Sequence, residues 1–264
     1  MAVANQVDNG LGHGWMVAAG PAGQAPPPAS AYAARMSHPT DRPPPEVPTR
    51  PGFVPRTPVP GTRPPWALPA ALLATAAVYP LAFRLRAVPF WPAMVALAAV
   101  WWWAAWHPYL SSRLRPTGPL TAAGAVTGLG LYVLTCAGAV VLRGTPLWPG
   151  VQEVLALARG GAPLPVAALL VVVVIAPAEE VLWRGGVFAR ATRRLGGGWR
   201  PVAATTVLDA AVVALSGYPA LALAALACGA VWGRQRQVTG SLVPGVVAHA
   251  VWALLVLSYL PGNQ

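Results

Sequence analysis

The chain has 264 residues but no lysine, only seven acidic residues and only two cysteines. Charged residues make up 9% of it, where a soluble domain of this length usually carries about a quarter. That scarcity excludes an ordinary water-soluble globule. The net charge of +11 is therefore all arginine. These arginines sit in the leading tail and at the ends of apolar runs, where a topology signal belongs, and form no soluble basic domain. No nucleic-acid partner is expected. Cys136 and Cys228 both fall in apolar segments, which favours buried thiols over a disulfide. There is no internal repeat, P-loop, dinucleotide fingerprint, zinc-helix motif or nucleophile-elbow serine.

What is present is apolar length. Hydrophobic residues make up 56% of the chain and the mean hydropathy is +0.54. Several runs approach or exceed the roughly 18 residues that mark a membrane span. The expected fold is all-α, a polytopic transmembrane helical bundle in the lipid bilayer. About seven membrane helices are expected, near 66–83, 88–106, 120–142, 164–184, 201–215, 220–233 and 242–260. Residues 1–65 differ: they hold 15 of the 31 prolines and no periodic apolar pattern, so a disordered, Pro- and Arg-rich cytosolic tail is expected there. It has no apolar core with a cleavage site, so no signal peptide is expected.

With seven spans and the tail in the cytosol, 14 arginines fall on the cytosolic side and four outside: Arg84, Arg86, Arg143 and Arg159. The positive-inside rule then favours a cytosolic N-terminus and sets the end of the 164–184 helix at the cytosolic face. Tryptophans such as those of "WWWAAW" read as interfacial anchors. Gly124 with Gly128, and Gly229 with Gly233, are spaced to let helices approach closely. The composition, rich in Ala, Gly, Pro and Arg, points to a GC-rich genome and a prokaryotic plasma membrane.

Inside this oily region stands "APAEEVLWRGG", residues 176–186. A charge near mid-bilayer costs roughly 2.5–3.5 kcal/mol on insertion scales, so three in close succession need a reason. Glu180 and Arg184 are four apart, in the favourable order for an ion pair along one helix face. Glu179 is rotated about 100° from Glu180 and cannot share that partner equally. A carboxylate left over in a half-dry cavity can act as a base toward water. His249, the one histidine deep in an apolar run past residue 110, can orient that water or steady an oxyanion. The plainer alternative is that both glutamates lie near a helix end and fix its depth in the membrane.

The run "EEVLWRG" resembles the first motif, Glu-Glu-x-x-x-Arg, of the CAAX-protease and bacteriocin-processing family, also called CPBP or Abi. Its members are intramembrane endopeptidases. The resemblance spans roughly residues 164–257 and takes in "RRLGGGW" and "GSLVPGVVAHAVW", the latter similar to the third-motif region. It implies that Glu179 activates the hydrolytic water, that Glu180 and Arg184 form a supporting pair, and that His249 is the third-motif histidine. It also implies a membrane or lipidated peptide as substrate. The family is often labelled metalloprotease; one histidine makes a poor zinc site, so no metal or other cofactor is expected.

The departures are as specific. The second motif, Phe-x-x-x-His, aligns Asp209 with the aromatic residue and Val213 with the histidine; a looser alignment gives Ser216. The third motif ends in Asn or Asp, where this chain has Ala253. Asp209 lies four residues before Val213 and so shares its helix face. Either it pairs with Glu179 as a second polar group, or it reaches water at a helix end near Arg200 or Arg184. Three functions are open: an endopeptidase using glutamate-activated water, an inactive relative acting as membrane scaffold or peptide binder, and, least favoured, a small transporter.

Overall fold

The computed structural model describes residues 63–106 and 113–260. All but the last three residues of the expected tail lie outside the described residues. The described chain forms helices and no strand. These are α1 (Ala67–Tyr79), α2 (Phe90–Ala105), α3 (Gly118–Leu142), α4 (Trp148–Gly160), α5 (Leu164–Leu195), α6 (Trp199–Ala214), α7 (Pro219–Thr239) and α8 (Val243–Tyr259). Three are long and apolar enough to cross a bilayer: α1 with its extension to Arg84, α3 and α5; α2 and α8 are apolar but shorter. The protein is an all-α membrane bundle.

Three expectations change. The stretch between 142 and 164, where no helix is expected, holds the amphipathic helix α4 with Glu153 on it. Its apolar content is too low for a span, and its core-facing side holds Leu155. Helix α7 continues past 233 to Thr239, ending at Gly240 in the left-handed conformation (φ 63°). Helix α5 does not stop at Arg184 but runs on to Leu195. The sequence suggests an end at Gly185–Gly186, yet Gly186 instead lets α5 lie against α2: a Cβ there would come 3.1 Å from the Ala105 Cβ. The glutamates are therefore mid-helix and cannot reach the interface as depth markers.

Helix α5 is not uniform. Its hydrogen bonding widens to π-helical turns over Leu170–Ile175 and Val181–Val187, with regular turns before, between and after. The Ala176 amide reaches back to Val171 and the Phe188 amide to Trp183, each five residues away. Pro177 gives a reason for the first: it has no N–H to offer the preceding turn. Pro80 does the same in α1, where the Leu85 amide bonds to the Pro80 carbonyl at 2.9 Å. Such turns are rare and are found mostly at functional sites.

Helix α8 is seated by small residues on α3. A Cβ at Gly124 would meet the Pro244 carbonyl at 2.7 Å, and one at Gly128 the Ala248 carbonyl at 2.6 Å. Only glycine permits that approach, and it fixes the height and rotation of His249 one residue along. The opposite side of the bundle is a core in which Ala178, Val181, Leu182 and Trp183 of α5 pack with Tyr79, Met94 and Trp101. Trp101, Trp183, Trp91 and Trp232 are buried, correcting their reading as interfacial anchors. Trp101 donates its indole N–H to Thr75 Oγ1 at 2.8 Å, linking α1 to α2.

Candidate active site

The five residues singled out above come together from three helices. Glu179, Glu180 and Arg184 come from α5, Asp209 from α6 and His249 from α8. Glu180 is wholly buried, and its Oε1 lies 3.3 Å from Arg184 Nη1. The same Nη1 lies 3.3 Å from Asp209 Oδ2. A buried cation is tolerable only when paired, and here two carboxylates share it. Asp209 is itself buried, so it does not reach water at a helix end. Its ion-pair partner is Arg184, reached across the α5–α6 contact.

His249 closes the other side of Glu180. Its Nδ1 lies 3.2 Å from Glu180 Oε1. A carboxylate paired with a guanidinium is an acceptor only, so Nδ1 carries the hydrogen and donates it. The other ring nitrogen, Nε2, faces Glu179 Oε2 at 4.0 Å. That is too long for a direct hydrogen bond. Glu179 keeps 18% of its side chain exposed, against none for Glu180. Two neighbouring glutamates thus differ sharply: one is locked in a buried network and the other faces open space.

That space is a cavity of about 230 Å³, lined by Glu179, Asp209 and His249 and otherwise mostly by apolar side chains. Val213 and Ala253 both line it. Ser216, the looser alternative for the second motif, is buried and accepts the Tyr218 amide at 3.3 Å.

Two contributors escaped the sequence reading. The Trp232 ring stacks on His249 with centroids 4.4 Å and planes 18° apart, and the Arg184 guanidinium carbon lies 5.3 Å from its centre. The indole therefore holds the histidine and the arginine at once, the latter through a cation–π contact. Gly245, one turn before His249, leaves room for Glu180: a Cβ there would come 2.8 Å from Oε2. Neither carries a sequence signal, since one of twelve tryptophans and one of 27 glycines look like any other. Arg236 adds a clamp, donating Nε–H to the Arg184 carbonyl at 3.1 Å.

Residues 161–255 match the family of the type II CAAX prenyl endopeptidases, Rce1-like. The match covers 95 of the 264 residues. It begins just before α5 and ends within α8, so the matched segment contains all five residues of the cluster. Neither a curated protein nor a solved structure matches the chain. Among the described residues no group of three His, Cys, Asp or Glu side chains is placed to hold a metal ion. His249 Nδ1 is taken by Glu180 and Asp209 is turned to Arg184, which leaves Glu179 and His249 Nε2 as the donors facing each other.

Proposed function

We propose that the protein is an intramembrane endopeptidase that hydrolyses a peptide bond with water activated by Glu179. The observation that carries this reading is the 4.0 Å gap between Glu179 Oε2 and His249 Nε2 at the cavity wall. One water bridges two acceptors across such a gap, giving one hydrogen to each. Glu179 takes its hydrogen as a proton, the water oxygen bonds to the scissile carbonyl carbon, and the carbonyl π pair moves onto oxygen. When the tetrahedral species collapses, the C–N bond breaks and the proton on Glu179 passes to the leaving nitrogen. His249 Nε2 accepts the second hydrogen and aims the attacking lone pair; Glu180 keeps its ring turned that way.

The substrate is a membrane-embedded or lipidated peptide, reached from the cytosolic face, with the N-terminus of the chain in the cytosol of a prokaryotic plasma membrane. The chemistry is slow. Val213 and Ala253 offer nothing to the oxyanion, and one missing donor costs about 10²–10³ in kcat. Purified protein in liposomes, given a panel of membrane and prenylated peptides, cleaves at a low rate that Glu179→Gln abolishes and a chelator leaves unchanged. Val213→His with Ala253→Asn raises that rate by at least tenfold. Cleavage that survives Glu179→Gln would sink the proposal.

A second reading rests on those same two apolar side chains facing Glu179: the protein binds such peptides as a membrane scaffold without cutting them. Stable peptide binding with no cleavage, even in the Val213→His, Ala253→Asn variant, favours it.

A further inference from the structure

A second groove lies away from the glutamates, between α1, the C-terminal turns of α5, and α6. Its volume is about 490 Å³. One part is apolar, walled by Leu68, Leu72, Val187 and Leu208; the other presents Arg190 and Arg194. These two arginines are four apart on α5, so they lie one above the other on one face. Neither forms an ion pair with a carboxylate among the described residues, and no acidic residue lines the groove. Arg190 gives one nitrogen to the Pro65 carbonyl at 3.1 Å and keeps its other donors.

The depth of this groove fits a membrane boundary. Helix α5 has 32 residues. At 1.5 Å per residue that is about 48 Å, longer than the roughly 30 Å hydrocarbon core and near the 40–45 Å of a whole bilayer. Its last turns, with Arg190 and Arg194, therefore stand at headgroup level. Tryptophans mark that level too: Trp66 and Trp199 are exposed beside Pro65 and at the start of α6. Arg63 lies over the Trp103 ring at 5.7 Å, and Trp66 packs on that ring. Two arginines beside an apolar trough offer positive charge and apolar surface together, the two chemistries that an anionic lipid needs.

We infer that this groove is a binding site for a single anionic phospholipid. The phosphate is held by Arg190 and Arg194, and an acyl chain lies along Leu68, Leu72 and Leu208. Basic pockets between membrane helices take anionic headgroups in this way. The occupant would brace α1 and α6 against the helix that carries the glutamate pair.

Native mass spectrometry of the full chain, released from micelles doped with phosphatidylglycerol or phosphatidylcholine, tests the assignment. One phosphatidylglycerol is expected to be retained in preference to phosphatidylcholine. Arg190→Gln with Arg194→Gln should weaken retention by about thirtyfold, at roughly 1 kcal/mol per arginine. Arg193→Gln, outside the groove, should leave it unchanged. Ala204→Trp, which fills the trough and spares both arginines, should also abolish it; helicity and lipid-free melting temperature report that each variant is folded. Equal retention of the two lipids overturns the inference, as does undiminished retention by the folded double arginine variant or by folded Ala204→Trp.

Discussion

Helices α3 and α5 are nearly equal in hydropathy and both long enough to span a bilayer, yet only 17% of the most apolar stretch of α3 is buried, against 39% in α5. Helix α3 is regular and presents Val126, Val133, Leu134, Val140 and Val141 outward. It meets the bundle through small residues that admit α8. Helix α5 is regular only in pieces and carries three charges in its middle, Glu179, Glu180 and Arg184, the last two buried in an ion pair. Apolarity places both helices in the membrane. What separates them is the partner each requires: lipid for α3, and one arginine with two carboxylates for α5. A lipid-facing helix tolerates change along most of its length, while a site-bearing one fails if a single counter-charge is lost.

That contrast can be broken most severely at Arg184. Arg184→Ala leaves Glu180 and Asp209 buried without their cation, and about 3–5 kcal/mol of stability should go with it, read as a large drop in melting temperature in detergent. Should Arg184→Ala melt like the unmodified protein, the buried ion network is not what holds α5 to α6. A smaller loss is expected on α3 at one of its two tight glycine contacts. Gly128→Val drives a side chain into the Ala248 carbonyl and should cost about 1–3 kcal/mol. It should also lower peptide cleavage, because α8 moves with His249. Gly130→Val, where a Cβ meets nothing within 4 Å, is the matched control and should change neither.

Glu179→Gln comes next. It keeps the shape of a half-open side chain that bears no tight ion pair, so the melting temperature should shift by no more than a few degrees while cleavage disappears. Loss of folding instead would place Glu179 inside the structural network with Glu180. The smallest effect is expected for Val133→Ala on the lipid face of α3, with stability and cleavage both unchanged within error. A large effect there would mean that this face is covered by protein rather than lipid.

Much of this arrangement can be read from residues alone, for a physical reason. A helix in lipid must be apolar over most of its length, so the runs beginning near 66, 88, 120, 164 and 242 announce themselves. The Glu180–Arg184 contact follows from a spacing of four. The family resemblance seen in "EEVLWRG" and the His249 region matches the domain found over 161–255. Helix α4 was hidden because its apolar residues occupy one face only, with Glu153 and Arg159 on a helix too short to span. The end of α5 was hidden because Gly185–Gly186 read as a stop, whereas Gly186 serves the contact with α2. Arg184's second partner, Asp209, depends on how α5 meets α6, and no local pattern encodes that. The stacking of Trp232 on His249 joins α7 to α8 in the same non-local way.

The two widened turns of α5 bracket the glutamate pair, with Ala176–Glu180 between them. Each adds one residue relative to an ordinary helix, which turns everything beyond it by about 100°. They act as a pair of rotary joints: the segment bearing Glu179 and Glu180 is set at its own angle, independent of the lipid-facing stretch before it and the arginine-rich stretch after it. Removing one residue from Leu170–Ile175 would collapse that joint and leave the glutamates in place while spinning the oily end. Such a shortened helix offers a way to re-aim the membrane-facing surface without touching the chemistry.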